Sequence, residues 1–361
     1  MLYHLLYPLH KYFFIFNVFK YITFRSAGAA LTSLILGIIL GPLIIQKLQR
    51  AKIGDQIKEF PFFEQFHKRK IGTPTMGGIV ILFVLIVSTL LWARLENIFI
   101  QLILFATIYL GLLGFLDDYL KLKGKKEGLR GWYKLLGQII LGLVVGFYLY
   151  YFPPTKDFLS LTVPFLKNVV VYLGWFYIIF AIFIILGSSN AVNLTDGLDG
   201  LAIGSVVIVA GTFVFFTYLT GNFKFSQYLL IPFVKESGEI TVYLSAMVGA
   251  GLSFLWFNSF PAQIYMGDTG AIALGGALGL TALIIRKEVV LLIVGGIFVV
   301  ETLSVIIQVT GYKLRKIRIF KMAPLHHHFE MKGWSEPKIV VRFWIINIIL
   351  ALITFSTLKL R

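Results

Sequence analysis

Long apolar stretches separated by short polar ones run the length of the chain. A helix needs about 20 mostly apolar residues to cross a bilayer. Ten such stretches occur, near 27–46, 77–93, 98–117, 132–152, 168–187, 200–220, 240–258, 269–285, 288–310 and 339–358. The pattern predicts an all-α polytopic membrane protein with one integral-membrane domain over 1–361. No internal repeat, separate soluble domain or low-complexity segment interrupts it. An even number of spans puts both termini on one side of the membrane. The first 26 residues, with Tyr12-Phe13-Phe14 and Lys20, read as an interfacial segment. They lack the small-residue cleavage site of a signal peptide.

Composition agrees with that class. Of 361 residues, 58% are hydrophobic and 14% charged, more apolar surface than a soluble domain can hide. There are no cysteines, which excludes a disulfide scaffold and a thiolate metal site. The formal net charge is +16, but the basic residues sit between apolar spans, so nucleic acid is not the expected partner. Anionic lipid headgroups and an anionic substrate are.

The same charges orient the chain. Lys47, Arg50, Lys52, Lys58, Lys68, Arg69 and Lys70 follow the first span. Lys121, Lys123, Lys125, Lys126, Arg130 and Lys134 follow the third, and Lys313, Arg315, Lys316, Arg318, Lys321, Lys332 and Lys338 the ninth. The loops on the other side share only Arg94, Lys156, Lys167, Lys224, Lys235, Arg286 and Lys287. Basic loops stay in the cytoplasm, so both termini are expected in the periplasm.

The chemistry-bearing residues collect in these cytoplasmic loops. Asp117 and Asp118 close the third span, with Lys121 one turn beyond. An i,i+4 ion pair at a solvated helix end would account for them. Yet two adjacent carboxylates at a helix C-terminus oppose the macrodipole and repel each other, the kind of cost that a metal or a proton transfer offsets. Between spans five and six lies Asn190-Ala-Val-Asn193-Leu194-Thr195-Asp196-Gly197-Leu-Asp199-Gly200. Asp199 could cap the next helix, but so many oxygen ligands also suit Mg²⁺ and a sugar or base ring.

Asn258, Tyr265 and Met266-Gly267-Asp268 join spans seven and eight. Asp268 reads either as a helix cap or as part of a phosphate-handling helix N-terminus. His326-His327-His328, half of the chain's six histidines, have poor spacing for zinc and better suit hydrogen bonding or proton transfer to a phosphate. Glu301 and Gln308 lie seven residues apart in the ninth span and share one helix face. An ionisable group at that depth defaults to a functional role, although a structural ion pair explains Glu301 equally well.

Asp117-Asp118-Tyr-Leu-Lys121, Asn193-Leu-Thr-Asp196-Gly-Leu-Asp199-Gly, Pro261-Ala262 with Met266-Gly267-Asp268, and Met322-Ala323-Pro324 through His328-Phe329-Glu330 resemble the phospho-N-acetylmuramoyl-pentapeptide transferases. The resemblance covers essentially the whole chain. The aspartate motifs are shared across the polyprenyl-phosphate N-acetylhexosamine-1-phosphate transferase superfamily, and Pro324-Leu-His-His-His-Phe-Glu330 points to this branch. Tyr265 stands where the family often has phenylalanine.

The resemblance implies transfer of phospho-MurNAc-pentapeptide from UDP-MurNAc-pentapeptide to undecaprenyl phosphate in the bacterial inner membrane, giving lipid I and UMP. It implies Mg²⁺ on Asp268, with Asp117 or Asp118 as further ligands, and a catalytic set of Asp117, Asp118, Asp268 and His327. A donor pocket would be lined by Lys70, Asn193, Leu194, Asp196, Gly197, Asp199, Asn258 and Tyr265. Thr75, Gln308, Ala323, His326, His328 and the lysines Lys121, Lys125 and Lys134 would extend it. A homodimer and inhibition by nucleoside antibiotics follow from the same resemblance.

Direct attack by the lipid phosphate, oriented or deprotonated by Asp117, and a two-step route through a phospho-aspartate both fit the motifs. The former is preferred, because a lipid phosphate is already largely ionised at neutral pH. A sister transferase using UDP-GlcNAc and an ion or metal transporter are the alternatives. The transporter reading is weakened because transport sites lie near the bilayer midplane.

Overall fold

The computed structural model describes residues 1–50, 72–123, 128–162 and 170–359. Ten helices form the bundle: α1 (Ile22–Arg50), α2 (Gly78–Trp92), α3 (Ile98–Leu122), α4 (Gly131–Tyr151), α5 (Phe176–Thr195), α6 (Leu201–Thr220), α7 (Ile240–Asn258), α8 (Gly267–Ile284), α9 (Gly296–Arg315) and α10 (Glu336–Ser356). Among the described residues, nine of them are long and apolar enough to cross a bilayer, and α2 is a shorter apolar helix.

Two buried helices organise the rest. α8 packs between α3 and α5, and α7 between α1 and α6. Nine of the 18 residues of α8 are Gly or Ala. Small side chains let neighbouring backbones approach closely, which is how helices associate where water supplies no hydrophobic drive. At the end of the bundle away from the aspartates, buried Arg25 of α1 pairs with Glu239 just before α7, and the Arg94 amide donates to the same carboxylate at 2.8 Å.

Several boundaries differ from the sequence reading. α3 runs on to Leu122, so Asp117, Asp118 and Lys121 lie within the helix. Partners from other elements satisfy both carboxylates there. The fifth span starts at Phe176 instead of 168, because the β-branched run before it pairs as a strand. β2 (Val170–Tyr172) is antiparallel to β1 (Ser160–Thr162), with Leu161 opposite Val171. At its other end the helix runs on to Thr195, which puts Asn190 and Asn193 on α5 and not in a loop. The ninth span breaks at Gly295 into Glu288–Val294 and α9. The triple histidine forms a short helix, Leu325–Glu330, where a loop was expected.

The chain before α1 winds through short helical turns whose aromatic residues Tyr12, Phe13 and Phe14 stay exposed. Phe19 stacks on Trp92 at the C-terminal end of α2.

Candidate active site

The C-terminal ends of α3 and α5 and the N-terminal ends of α4 and α8 meet at one mouth of the bundle. Gly114, one turn before the aspartates, lets α3 press onto α8, since a Cβ there would collide with the Asp268 carbonyl oxygen. Gly267 takes φ +72°, a conformation L side chains rarely adopt, and a Cβ on it would lie 2.8 Å from Asp118 Oδ2. These close approaches bring together carboxylates 150 positions apart in the chain.

Successive helical residues point about 100° apart, so the aspartate pair divides. Asp118 turns towards α8. It accepts from the amides of Asp268 (3.2 Å) and Thr269 (2.9 Å) and from the Thr269 hydroxyl (2.6 Å). The N-cap position of α8, Met266, has no side-chain oxygen to offer. Asp118 therefore caps α8 from another helix and satisfies amides that would otherwise be orphaned.

Asp117 faces the Leu129 amide and the Asp268 side chain instead. It accepts from the Leu129 amide at 2.8 Å and pairs with Lys121 Nζ at 2.6 Å. Lys121 also reaches Asp268 Oδ2 at 3.1 Å and Asp118 at 3.9 Å, and Lys134 of α4 donates to Asp268 Oδ2 at 2.6 Å. With its amide nitrogen turned to the carboxylate, Asn193 donates to Asp268 Oδ1 at 2.9 Å and accepts from Lys134 at 3.1 Å.

Oxygens of Asp117, Asp118 and Asp268 lie within 4.8 Å of one another, the only such group of three potential metal ligands among the described residues. An all-oxygen carboxylate set fits a hard divalent cation. Two lysines crowding one carboxylate show independently that the site attracts positive charge. Asp196, just past α5, faces the same centre. Its burial, and then the negative charges of Asp268 and Asp118, push its carboxyl up to about 7, against a hydrogen bond from the Gly267 amide.

Other expected site residues serve the scaffold beside this centre. Asp199 accepts from the Ala262 amide at 3.0 Å, and its own amide donates to Glu336 at 2.7 Å. Asn258 accepts from the Gly200 amide (3.0 Å) and donates to the Ile264 carbonyl (2.8 Å), tying the α5–α6 loop to the α7–α8 loop. Gln308 uses its whole amide on the chain's own backbone, donating to the Phe320 carbonyl and accepting from the amides of Ile319 and Phe320. Half-buried Thr75 and Tyr265 flank a backbone seam: the Tyr265 amide donates to the Pro74 carbonyl, and the Gly77 amide to the Tyr265 carbonyl, both at 2.8 Å. Leu194, Gly197 and Ala323 are half-buried. Lys70 and Lys125 lie outside the described residues.

The three histidines separate. His326 is buried against Glu301, His327 pairs with Glu330 at 2.6 Å, and His328 Nδ1 accepts from the Lys321 amide at 3.1 Å. Their different partners do not build a shared metal site.

Sequence reasoning overlooked Gln138, Thr269 and Glu336. Gln138 is buried in α4, donates to Ser189 and accepts from Asn190, while Ser189 donates to the Ile272 carbonyl. A polar residue inside an apolar span is a readable signal. Glu336, at the start of α10, gave none.

A membrane-embedded helical bundle that gathers three carboxylates and two ammonium groups at one mouth is built as an integral-membrane transferase for an anionic substrate. Residues 100–286 match the model of glycosyl transferase family 4, and residues 70–82 match signature 1 of the phospho-N-acetylmuramoyl-pentapeptide-transferases. The phospho-N-acetylmuramoyl-pentapeptide-transferase of Desulfotalea psychrophila is 54% identical over 100% of both chains. Those of Syntrophus aciditrophicus and a Geobacter species are 52% and 54% identical, again over 100% of both chains. The chain belongs to the phospho-N-acetylmuramoyl-pentapeptide transferase family, and is a multi-pass protein of the bacterial inner membrane.

Proposed function

We propose that the protein transfers phospho-MurNAc-pentapeptide from UDP-MurNAc-pentapeptide to undecaprenyl phosphate, forming lipid I and releasing UMP at the cytoplasmic face. The observation that carries the chemistry is the convergence of Asp117, Asp118 and Asp268 around Lys121 and Lys134. Identity with the named relatives along the whole chain favours the muramoyl-pentapeptide donor over UDP-GlcNAc.

An oxygen of the lipid phosphate attacks the sugar-bearing phosphorus of the donor. The bond from that phosphorus to the bridging oxygen breaks, and UMP leaves with the electron pair. Asp117, held by the Leu129 amide and Lys121, orients the attacking phosphate. Lys121 and Lys134 are placed to neutralise charge on the diphosphate as it separates. Asp118 keeps the first turn of α8, and with it Asp268, in place.

Mg²⁺ is the ion we assign to the carboxylates. Asp268 and Asp117 would hold it, since Asp118 is committed to backbone amides, and it would supply charge neutralisation and Lewis acidity at the diphosphate. Asn193, Leu194, Asp196, Gly197 and Tyr265 form the uridine-sugar side, extended by Thr75, Lys70 and Lys125. Asp199, Asn258 and Gln308 shape the loops of that pocket. Ala323 and His326 to His328 border the sugar-peptide, with His327 as its proton-handling group. The 1–361 chain acts as one domain, with 1–26 at the interface, assembles as a homodimer and is blocked by nucleoside antibiotics that mimic the donor.

The purified protein should release UMP from UDP-MurNAc-pentapeptide only when Mg²⁺ and undecaprenyl phosphate are both present, and should be inert with UDP-GlcNAc. UMP release from UDP-GlcNAc alone would identify the sister transferase. Activity with neither donor would end the transferase reading.

A further inference from the structure

Glu301 sits inside α9 and is fully buried. A carboxylate at such depth is costly unless it is paired. Its partner comes from outside the span. The His326 amide faces both carboxylate oxygens, at 3.1 and 3.4 Å, and ring Nδ1 lies 3.1 Å from Oε2. An ionised carboxylate can only accept, so Nδ1 carries the ring proton. Burial also holds the ring below the ordinary histidine range, with Glu301 opposing it. In the neutral ring, Nε2 is then a lone-pair acceptor.

That nitrogen is buried and has no hydrogen-bond partner among the described residues. It is aimed at Gly197, where any Cβ would collide with it. Gly197 lies in the turn between α5 and α6, next to Asp196, which faces the carboxylate centre. On its other side α9 is open, with Val300, Leu303, Ile306 and Ile307 exposed where lipid chains would lie. Glu301 therefore touches both worlds at once, through its own helix and through one imidazole.

We infer that Glu301 is a positioning residue: it locks His326 as the Nδ1–H tautomer and, through the ring against Gly197, sets the donor-side turn from within a lipid-facing helix. The inference rests on the reading of that turn as the donor side of the transferase site. It gives the first histidine of the triplet a task separate from proton transfer, and it explains why residue 197 is a glycine although its φ is not positive.

The test uses the full-length protein in nanodiscs, with UDP-MurNAc-pentapeptide binding measured by calorimetry and histidine tautomers read by ¹⁵N NMR. Glu301→Gln replaces one of the two acceptor oxygens that face His326 with a donor NH₂ and removes the carboxylate charge. It should weaken donor binding roughly tenfold, shift one histidine ring signal, and leave the KM for the lipid acceptor within about twofold. Gly197→Ala should weaken donor binding similarly, because the added methyl displaces the ring. The same methyl should be harmless, or restore affinity, in a His326→Asn background, where the smaller side chain leaves room and still donates to Glu301. This last comparison carries the test if Glu301→Gln does not fold.

Donor affinity and ring signals unchanged in Glu301→Gln would overturn the inference. So would an equal effect of Gly197→Ala with and without His326. Wild-type protein that binds no UDP-linked donor would remove the underlying reading. Wild-type that binds donor, beside variants that match it, removes the positioning role alone.

Discussion

Asp118 spends both carboxylate oxygens on the first turn of α8, whereas Asp117 meets one amide and one lysine near the mouth. Their substitutions should separate accordingly. Asp118→Ala removes a helix cap, so it should lower unfolding stability by about 1–2 kcal/mol and show as a reduced melting temperature. Asp117→Asn should lower turnover with donor affinity nearly intact. Calorimetry showing lost donor binding would move Asp117 to the donor side. Asp268 collects both lysines and Asn193, so Asp268→Asn should reduce UMP release on the order of a hundredfold while the protein stays folded. A variant with near wild-type turnover and the usual Mg²⁺ requirement would dismiss Asp268 as the ion's ligand.

At the scale of elements, the short helix Leu325–Glu330 sends consecutive histidines to Glu301, Glu330 and the Lys321 amide. A helical turn separates adjacent side chains by about 100°, so three neighbours cannot converge on one ion. Purified protein should accordingly carry no stoichiometric zinc, and a zinc-selective chelator should leave turnover unchanged, while His327→Ala lowers it sharply. Zinc whose content tracks activity would contradict this. The chain motif announces the histidines but not their directions. Likewise, the sequence places Asp117 and Asp118 at a helix end, and only the packing of α3 on α8 shows that the pair divides.

At the scale of the whole molecule, the carboxylates and lysines of the candidate site share one mouth of the bundle. Three sequence segments expected to face the cytoplasm carry seven, six and seven of the 33 basic residues. A nucleotide sugar cannot cross the bilayer. Sealed right-side-out vesicles should therefore use external UDP-MurNAc-pentapeptide poorly until permeabilised, and donor binding should weaken at high salt, where exposed charges are screened beyond about 10 Å at 0.1 M. Full activity in intact right-side-out vesicles would invert the orientation.

Hydrophobic periodicity alone determined the fold class and nearly every span, because burying backbone in lipid leaves a chain few choices. The motifs likewise picked out the three aspartates and Lys121, Lys134 and Asn193, whose charges and amides have no purpose in an apolar bundle unless they meet. What the chain's order could not supply was the partner of each polar atom. That Asp118 caps α8, that Asn258 and Asp199 staple two loops, that Gln308 holds its own backbone and that Glu301 grips His326 depends on contacts between residues 12 to 151 positions apart. Hydrogen bonds reach about 3 Å, and which atoms come that close is decided by helix packing.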